Sequence, residues 1–528
     1  MARVSSGWRE RRLPYDFMIE KGDSNVRRAG ILMPISALPS PYGIGTMGAA
    51  AREFADFLAD GGQSCWQILP VGPTSFGDSP YQSFSSFAGN PYFIDLEDLA
   101  AEGLLEPGEF RDLNWGDEPR RVDYGLLYET RYPVLRKACG RLLAQDPPDF
   151  ARFCREHGDW LEDYALFMAL KEKHNGVSWF RWPEGERLRR PGVLEEVRRE
   201  LAGETAFWRA VQYLFFRQWR ALKAYANDQG ISIIGDLPIY VSADSADVWS
   251  HRPLFQLDGE GRPIEVAGCP PDGFSADGQL WGNPLFDWER METDGYQWWI
   301  RRIAFQFRIY DTLRIDHFRG FDAYYAIPCG DTTARNGRWR PGPGIRFFRA
   351  VEKALGPRDI IAEDLGFLTD SVRQLLAETG YPGMKVLEFA FDSRDTGGGY
   401  LPHCYTPHCV AYTGTHDNDT VQGWMKNAPA EDAALARAYL RLNEQEGFHW
   451  GMMRSAWASA ADLAVMQFQD LLGLGSEARM NIPSTLGGNN WRWRTLPGTF
   501  DRELAGRLRR EMEVYQRLPE RQNGSICK

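Results

Sequence analysis

The chain has 528 residues, of which 43% are hydrophobic and 25% charged, the composition of an ordinary globular protein rather than a disordered one. Its formal net charge is −11, and it has no basic run and no interleaving of aromatic and basic residues, so nucleic acid is excluded as an expected partner. Nowhere do about 18 apolar residues follow one another, which excludes a membrane-spanning helix from the expectation.

Residues 1 to 30 mix charges of both signs and lack the apolar core of a secretion signal. The eight cysteines, at 65, 139, 154, 269, 329, 404, 409 and 527, show no framework spacing. A cytoplasmic protein with reduced thiols and no obligate protein partner is therefore expected. The length suits two to four domains or one large α/β barrel with insertions.

Short apolar runs bounded by Gly, Pro or charge mark eight strands in chain order. They lie at 30–38 (GILMPISAL), 65–71 (CWQILPV), 231–241 (ISIIGDLPIYV), 312–316 (TLRID), 359–364 (DIIAED), 385–391 (KVLEFAF), 409–413 (CVAYT) and 462–469 (DLAVMQFQ). Continuous rather than alternating hydrophobicity belongs to strands covered on both faces, as parallel sheets require. Amphipathic helical text separates several of them, at 48–62, 295–310, 344–356, 371–380 and 449–461. Strand, helix, strand in repetition predicts right-handed crossovers, and eight such units close into a (β/α)8 TIM barrel. An open doubly wound sheet is the alternative, but no Gly-rich turn follows either of the first two strands.

The barrel is expected to span 25–500 as one catalytic unit. Residues 76–230 read as a mainly helical insertion, 242–294 and 327–344 as loops with small strands, and 500–528 as a C-terminal helix and tail. The tryptophans of FWRAVQYLFFRQW stand at helical spacing and belong to a core.

Five of the apolar runs end in carboxylates: Asp236, Asp316, Glu363 with Asp364, Asp417 with Asp419, and Asp470. In a barrel these ends share one face. Carboxylates gathered there suit glycosidic chemistry, in which one attacks the anomeric carbon, one protonates the leaving oxygen and a third holds charge and hydroxyls. Arg314 lies two residues before Asp316, on the same side of the strand, and is expected to keep it ionised and aimed as the nucleophile. Glu363 has apolar neighbours, which raise a carboxyl toward the range of a general acid. Asp417 beside His416 offers a pair for vicinal hydroxyls. The same ends also suit a metal-dependent hydrolase or isomerase, since Asp and His are common ligands.

Four segments then resemble, in order, the conserved regions of the α-amylase clan of retaining glycosidases: GDLPIYV (235–241), LRIDHFRG (313–320), AEDLG (362–366) and THDND (415–419). Their wording is similar to the amylomaltase or disproportionating-enzyme family of 4-α-glucanotransferases, glycoside hydrolase family 77. So are SPYQSFSSFAGNPYFIDL (79–96), CPPDGFSADGQLWGNPLFDW (269–288) and RMNIPSTLGGNNWRWR (479–494). The resemblance implies a retaining transfer of α-1,4-glucan segments between maltooligosaccharides, without metal or cofactor. It implies Asp316 as nucleophile, Glu363 as acid/base and Asp417 as transition-state stabiliser, with Asp236, Arg314 and His416 supporting them. Ser79, Tyr81, Gln279, Trp281 and Asn481 fall in its substrate loops. Gly273 and Ser484 depart from the family pattern, which bears on acceptor preference.

Other readings stay open at this level. An α-amylase-like hydrolase shares the fold, and a non-catalytic glucan-binding protein would keep the barrel. His403, Cys404, His408 and Cys409 stand at ligand-like intervals for zinc, although Cys409 begins a strand and is expected to face the core. Strand alternation points His317 away from Asp316.

Overall fold

The computed structural model describes residues 27–519 apart from 76, 272–274, 367 and 394–398. Residues 1–26 of the segment read for a secretion signal, Cys527 and Gly273 lie outside the described residues. Twelve strands occur among the described residues, in chain order β1 (Arg28–Leu32), β2 (Cys65–Gln67), β3 (Ser232–Leu237), β4 (Glu265–Cys269), β5 (Gln279–Pro284), β6 (Thr312–Ile315), β7 (Ala323–Pro328), β8 (Arg338–Pro341), β9 (Ile360–Ala362), β10 (Gly383–Val386), β11 (Cys409–Tyr412) and β12 (Leu463–Gln467).

Eight of them form one sheet in the order β10, β11, β12, β1, β2, β3, β6, β9, and every pairing is parallel. The two ends of that order meet where the Ala362 N–H donates to the Pro382 carbonyl at 3.0 Å, so the sheet comes round to a barrel. Seven of the eight fall on apolar runs expected to be strands, whereas β10 shares only Lys385 and Val386 with the expected 385–391, whose remainder, Leu387–Phe391, is a 3-10 helix. The barrel strands are buried on both faces, which is why their sequences do not alternate. Gly235 in β3 is fixed by packing, because a Cβ there would lie 2.0 Å from the ring of Tyr310.

Between β2 and β3 the chain runs through helices that include Tyr124–Gln145, Gly158–Lys173 and Ala202–Asp228. The last of these carries Leu214, Phe215 and Trp219 into the core, all fully buried. Apolar side chains of this size each contribute about 1.5–3 kcal/mol on burial. Trp219 also donates its indole N–H to the Ile309 carbonyl, 3.0 Å away, and so joins this helix to Gln297–Ile309. Segments from both sides of β6 build a single antiparallel sheet in the order β5, β4, β7, β8.

At the opposite end of the barrel from the carboxylates, the segment after the last helix (Arg502–Val514) ties the chain ends together. Arg517 donates to the carbonyls of Arg28 and Trp457 at 2.8 Å and of Ala461 at 2.9 Å, and Arg27 donates to Tyr515 at 2.8 Å. Among the described residues no helix is long and apolar enough to cross a membrane.

Candidate active site

Strand β6 ends in Ile315, and Asp316 follows with its N–H on the Leu237 carbonyl of β3 at 3.0 Å. On the other side, the N–H of Glu363 donates to the Ile315 carbonyl at 3.0 Å, which sets Asp316 and Glu363 at the ends of adjacent strands. His317 then takes a left-handed backbone, φ +50°, a conformation that His tolerates better than most residues. Its N–H donates to Glu363 Oε2 at 2.5 Å, so the turn carrying Asp316 also grips the Glu363 carboxylate.

Arg314 organises the charge. Its Nη1 donates to both oxygens of Asp236, at 2.7 and 2.6 Å, and lies 3.2 Å from Asp316 Oδ1. The alternation that put Arg314 and Asp316 on one side holds. Asp236 has no exposed side-chain surface and also accepts from the Tyr81 hydroxyl at 2.7 Å, whereas the Asp316 side chain keeps 27% of its surface open to the cleft. Arg314→Met therefore strands a buried carboxylate and is expected to cost about 3–5 kcal/mol. A urea-unfolding midpoint equal to the wild type's would contradict that pairing.

The expectation that Arg314 by itself keeps Asp316 well ionised needs correction. Burial outweighs the guanidinium and, with Asp236 and Asp417 adding like charge, pushes the Asp316 carboxyl up to about 7. Burial pushes Glu363 higher, to about 8, with Arg314 opposing and Asp316 adding to the rise. The two carboxyls titrate as a pair. Arg314 touches Asp316, so of the two Glu363 is the group pushed further toward keeping its proton.

The third carboxylate comes from the loop after β11. Asp417 is held by the Asn481 amide, Nδ2 to Oδ1 at 2.6 Å, and its Oδ2 lies 3.5 Å from His416 Nε2, while 44% of its side chain remains exposed. Burial lowers the proton affinity of His416, so its ring is neutral. That ring stacks on Tyr81 at 5.1 Å and 18°, which places Tyr81 between Asp236 and His416. The like charges of Asp316 and Asp417 both act on Tyr81, and Asp417 acts on Asp316. Asp316 thus lies within electrostatic reach of Glu363 and Asp417, with Asp236 buried behind Arg314.

The loop residues expected to meet substrate divide into two walls. Ser79 accepts from the Tyr81 N–H at 3.3 Å and shapes that loop. On the facing sheet, Trp281 donates to Gln279 Oε1 at 3.0 Å and meets the His317 ring edge to face, with centroids 4.9 Å apart. His317 thus combines a left-handed backbone with a ring set against Trp281. Burial and Arg319 lower its pKa to about 3, leaving a neutral ring whose buried Nε2 has no hydrogen-bond partner. Ser484 also has a left-handed backbone, φ +64°, the conformation a glycine adopts without strain.

Sequence reasoning missed several contributors. Arg479 donates to the Asp417 carbonyl at 2.5 Å and the Asn481 carbonyl at 2.7 Å, and Trp491 packs 5.8 Å from Tyr81 and 6.0 Å from His416. Both stand inside the RMNIPSTLGGNNWRWR segment, so the segment was visible although the individual residues were not. Two strand-end carboxylates serve the scaffold: Asp364 accepts from the Met384 N–H at 2.7 Å, and Asp470 from Thr413 and Val421 at 2.7 and 2.8 Å.

The suspected zinc ligands do not converge. His403 pairs with the Tyr439 hydroxyl, His408 with the Gly380 carbonyl, and the buried Cys409 donates to the Thr406 carbonyl. Among the described residues no three His, Cys, Asp or Glu side chains form a group that could hold a metal ion. Within the cleft the position between Asp236 and Asp316 is taken by the Arg314 guanidinium.

Comparison with known proteins agrees with this geometry. A family model described as 4-alpha-glucanotransferase matches residues 33–498. The chain is 48% identical to a 4-alpha-glucanotransferase of Clostridium butyricum over 92% of its own length and all of that protein's. It is 43% identical to "4-alpha-glucanotransferase, chloroplastic/amyloplastic" of Solanum tuberosum, over 95% and 88% of the two chains. Among solved structures it superposes on the amylomaltase of Streptococcus agalactiae in complex with acarbose with a TM-score of 0.91 at 41% identity, covering 93% of this chain and all of the other. A family model over 33–498, together with relatives 43–48% identical across more than nine-tenths of the chain, settles the family: this chain belongs to the 4-α-glucanotransferases.

Proposed function

We propose that the enzyme moves α-1,4-glucan segments between maltooligosaccharides by double displacement, with Asp316, Glu363 and Asp417 as its catalytic carboxylates. Asp316 attacks the anomeric carbon while protonated Glu363 delivers its proton to the departing glycosidic oxygen, and a covalent glycosyl-enzyme forms. Glu363, now a carboxylate, takes the proton from the 4-hydroxyl of an acceptor glucan as that oxygen displaces Asp316. Two inversions give net retention. Asp417 balances the oxocarbenium-like charge of both transition states. The observation that carries the reading is the Arg314 bridge, which favours a charged Asp316 beside a Glu363 that keeps its proton.

Asp236, Arg314, His416 and Tyr81 orient these groups, and Asn481 aims Asp417. Transfer in place of hydrolysis requires that sugar hydroxyls outcompete water for the intermediate, which is a matter of positioning and water exclusion. The aromatic walls at Tyr81 and Trp281, with Ser79 and Gln279 beside them, supply surfaces that stack on glucose rings and hydrogen bond to hydroxyls. The acarbose bound to the Streptococcus agalactiae amylomaltase supports a glucan-shaped ligand in this cleft. We place the enzyme in the cytoplasm, in keeping with its bacterial relatives, although the potato relative's name assigns that protein to plastids.

Incubation with maltotriose tests the reaction. Glucose together with a ladder of longer chains is expected. Maltose and glucose alone would make the protein a hydrolase, and unchanged maltotriose would make it a binding protein.

The paired titration predicts a narrow bell in kcat/KM against pH. The acid limb follows loss of charge on Asp316 near about 7, and the alkaline limb follows loss of the Glu363 proton near about 8. A rate that stays level to pH 10 would contradict the assignment of the proton to Glu363.

A further inference from the structure

The ends of β10, β11 and β12 enclose a second polar cluster, behind Asp417 and sealed from the cleft, that no step above uses. Glu388 stands two residues after the end of β10 and is 3% exposed, and its N–H donates to the Thr413 carbonyl at 3.2 Å. Gln467 ends β12 at 1% exposure, and its amide Nε2 donates to the Asp419 carbonyl at 3.1 Å. That bond fixes which way the amide is turned and leaves its oxygen, Oε1, buried without a partner. Glu388 Oε1 is buried and unpartnered as well. Both side chains press on the same glycine: a Cβ at Gly414 would lie 2.8 Å from Gln467 Nε2 and 3.2 Å from Glu388 Oε1.

The charged groups facing Glu388 are Asp470 on the turn after β12, Asp419 on the loop after β11, and Arg479. Asp470 is occupied by Thr413 and Val421, Asp419 accepts from Ser476 at 2.7 Å, and Arg479 is committed to the carbonyls of Asp417 and Asn481. Burial first, then the neighbouring carboxylates, drive the Glu388 carboxyl well above the usual carboxylate range. Asn418 also hydrogen bonds to the Glu388 carboxyl, so an ionised Glu388 leaves its Oε1 as a second idle acceptor in a pocket that already holds Gln467 Oε1. A neutral acid adds a donor where the idle acceptor is.

We propose that Glu388 is a positioning residue, kept as an uncharged carboxylic acid whose proton is shared with Gln467 Oε1, and that this pair clamps Gly414 and so presents the 413–421 loop, with Asp417, to the substrate. The catalytic half of the proposal rests on the place given to Asp417 above, and the protonation half does not. No substrate touches Glu388. Its chemistry is that of a glutamine, which can likewise donate to Gln467 while carrying no charge.

The test compares Glu388→Gln with Glu388→Ala in the full-length protein. Folding takes up a proton wherever a group binds it more tightly in the folded chain, so stability contributed by such a carboxyl declines as pH rises above the ordinary carboxylate range. The wild type's melting midpoint is thus expected to fall more steeply from pH 6 to pH 9 than that of Glu388→Gln. The infrared difference spectrum of wild type minus Glu388→Gln at pH 7 should contain the carbonyl stretch of a protonated carboxylic acid. In maltotriose transfer, Glu388→Gln is expected to keep kcat within about threefold of the wild type, and Glu388→Ala to lose about tenfold or more in kcat with little change in KM. Parallel pH slopes together with a carboxylate rather than a carboxylic-acid band would overturn the neutral acid. Equal losses in Gln and Ala variants would overturn the clamp. If instead the spectrum and slopes follow expectation and Asp417→Asn remains fully active, the place given to Asp417 fails and the neutral acid stands.

Discussion

Asp316→Ala is expected to lower turnover of maltooligosaccharides by about 10,000-fold or more while leaving the fold intact, because it removes the atom that bonds to the sugar. The fold should survive because 27% of the side chain already faces the cleft and Arg314 retains its two bonds to Asp236. Rescue separates a nucleophile from a merely nearby charge. In the space vacated by the carboxylate, azide can attack an α-glucosyl fluoride from the face opposite the fluoride. The carbon–fluorine bond breaks as the carbon–nitrogen bond forms, and the product is the β-glucosyl azide. Recovery of turnover with azide, and that product by chromatography, are the expected results. An unassisted variant within tenfold of the wild type would remove Asp316 from the reaction.

The second large effect belongs to Glu363→Gln. The substitution keeps the size of the side chain and its contact with the His317 N–H, but removes the transferable proton. Loss of a positioned acid costs about 100- to 10,000-fold, and here it should fall on donors whose leaving oxygen needs a proton. With a glucosyl fluoride donor, whose leaving group departs unassisted, formation of the intermediate should be nearly as fast as in the wild type. The alkaline limb of the pH profile should disappear together with the group that causes it. Equal losses with glucan and fluoride donors, measured as the initial burst, would assign Glu363 a structural task instead.

Much of this architecture can be read from the order of residues. The eight barrel strands are buried on both faces, so their sequences stay apolar for several residues, five of the runs then stop at a carboxylate, and that pattern survives without coordinates. Arg314 and Asp316 were legible for a local reason, since a period of two puts them on one side of a single strand. What escaped was information carried between distant segments. Asp417 and Asp470 end similar apolar runs, yet one faces the cleft and the other is fully buried under Thr413 and Val421. Nothing in either run says which. The balance of burial against Arg314 at Asp316 was misjudged because spacing reveals a neighbouring charge but not how much water has been removed. The left-handed backbone of His317 and its contact with Trp281 were not legible, because spacing along one strand carries neither. Glu388 and Gln467 stayed hidden because each is unremarkable alone, and only the missing partners of both, seen around Gly414, give them meaning.

The seam between β1 and β12 sets the timetable of assembly. Arg28 at the start of β1 sits beside Leu463 in register, and its carbonyl is capped by Arg517, 489 residues later. During synthesis at about 5–20 residues per second, that separation is roughly 25 to 100 s of elongation. Strand β1 therefore leaves the ribosome with one edge unpaired and waits until β12 and Arg517 have followed it. For that interval the nascent barrel is an open sheet with two sticky margins, the form most in need of a chaperone.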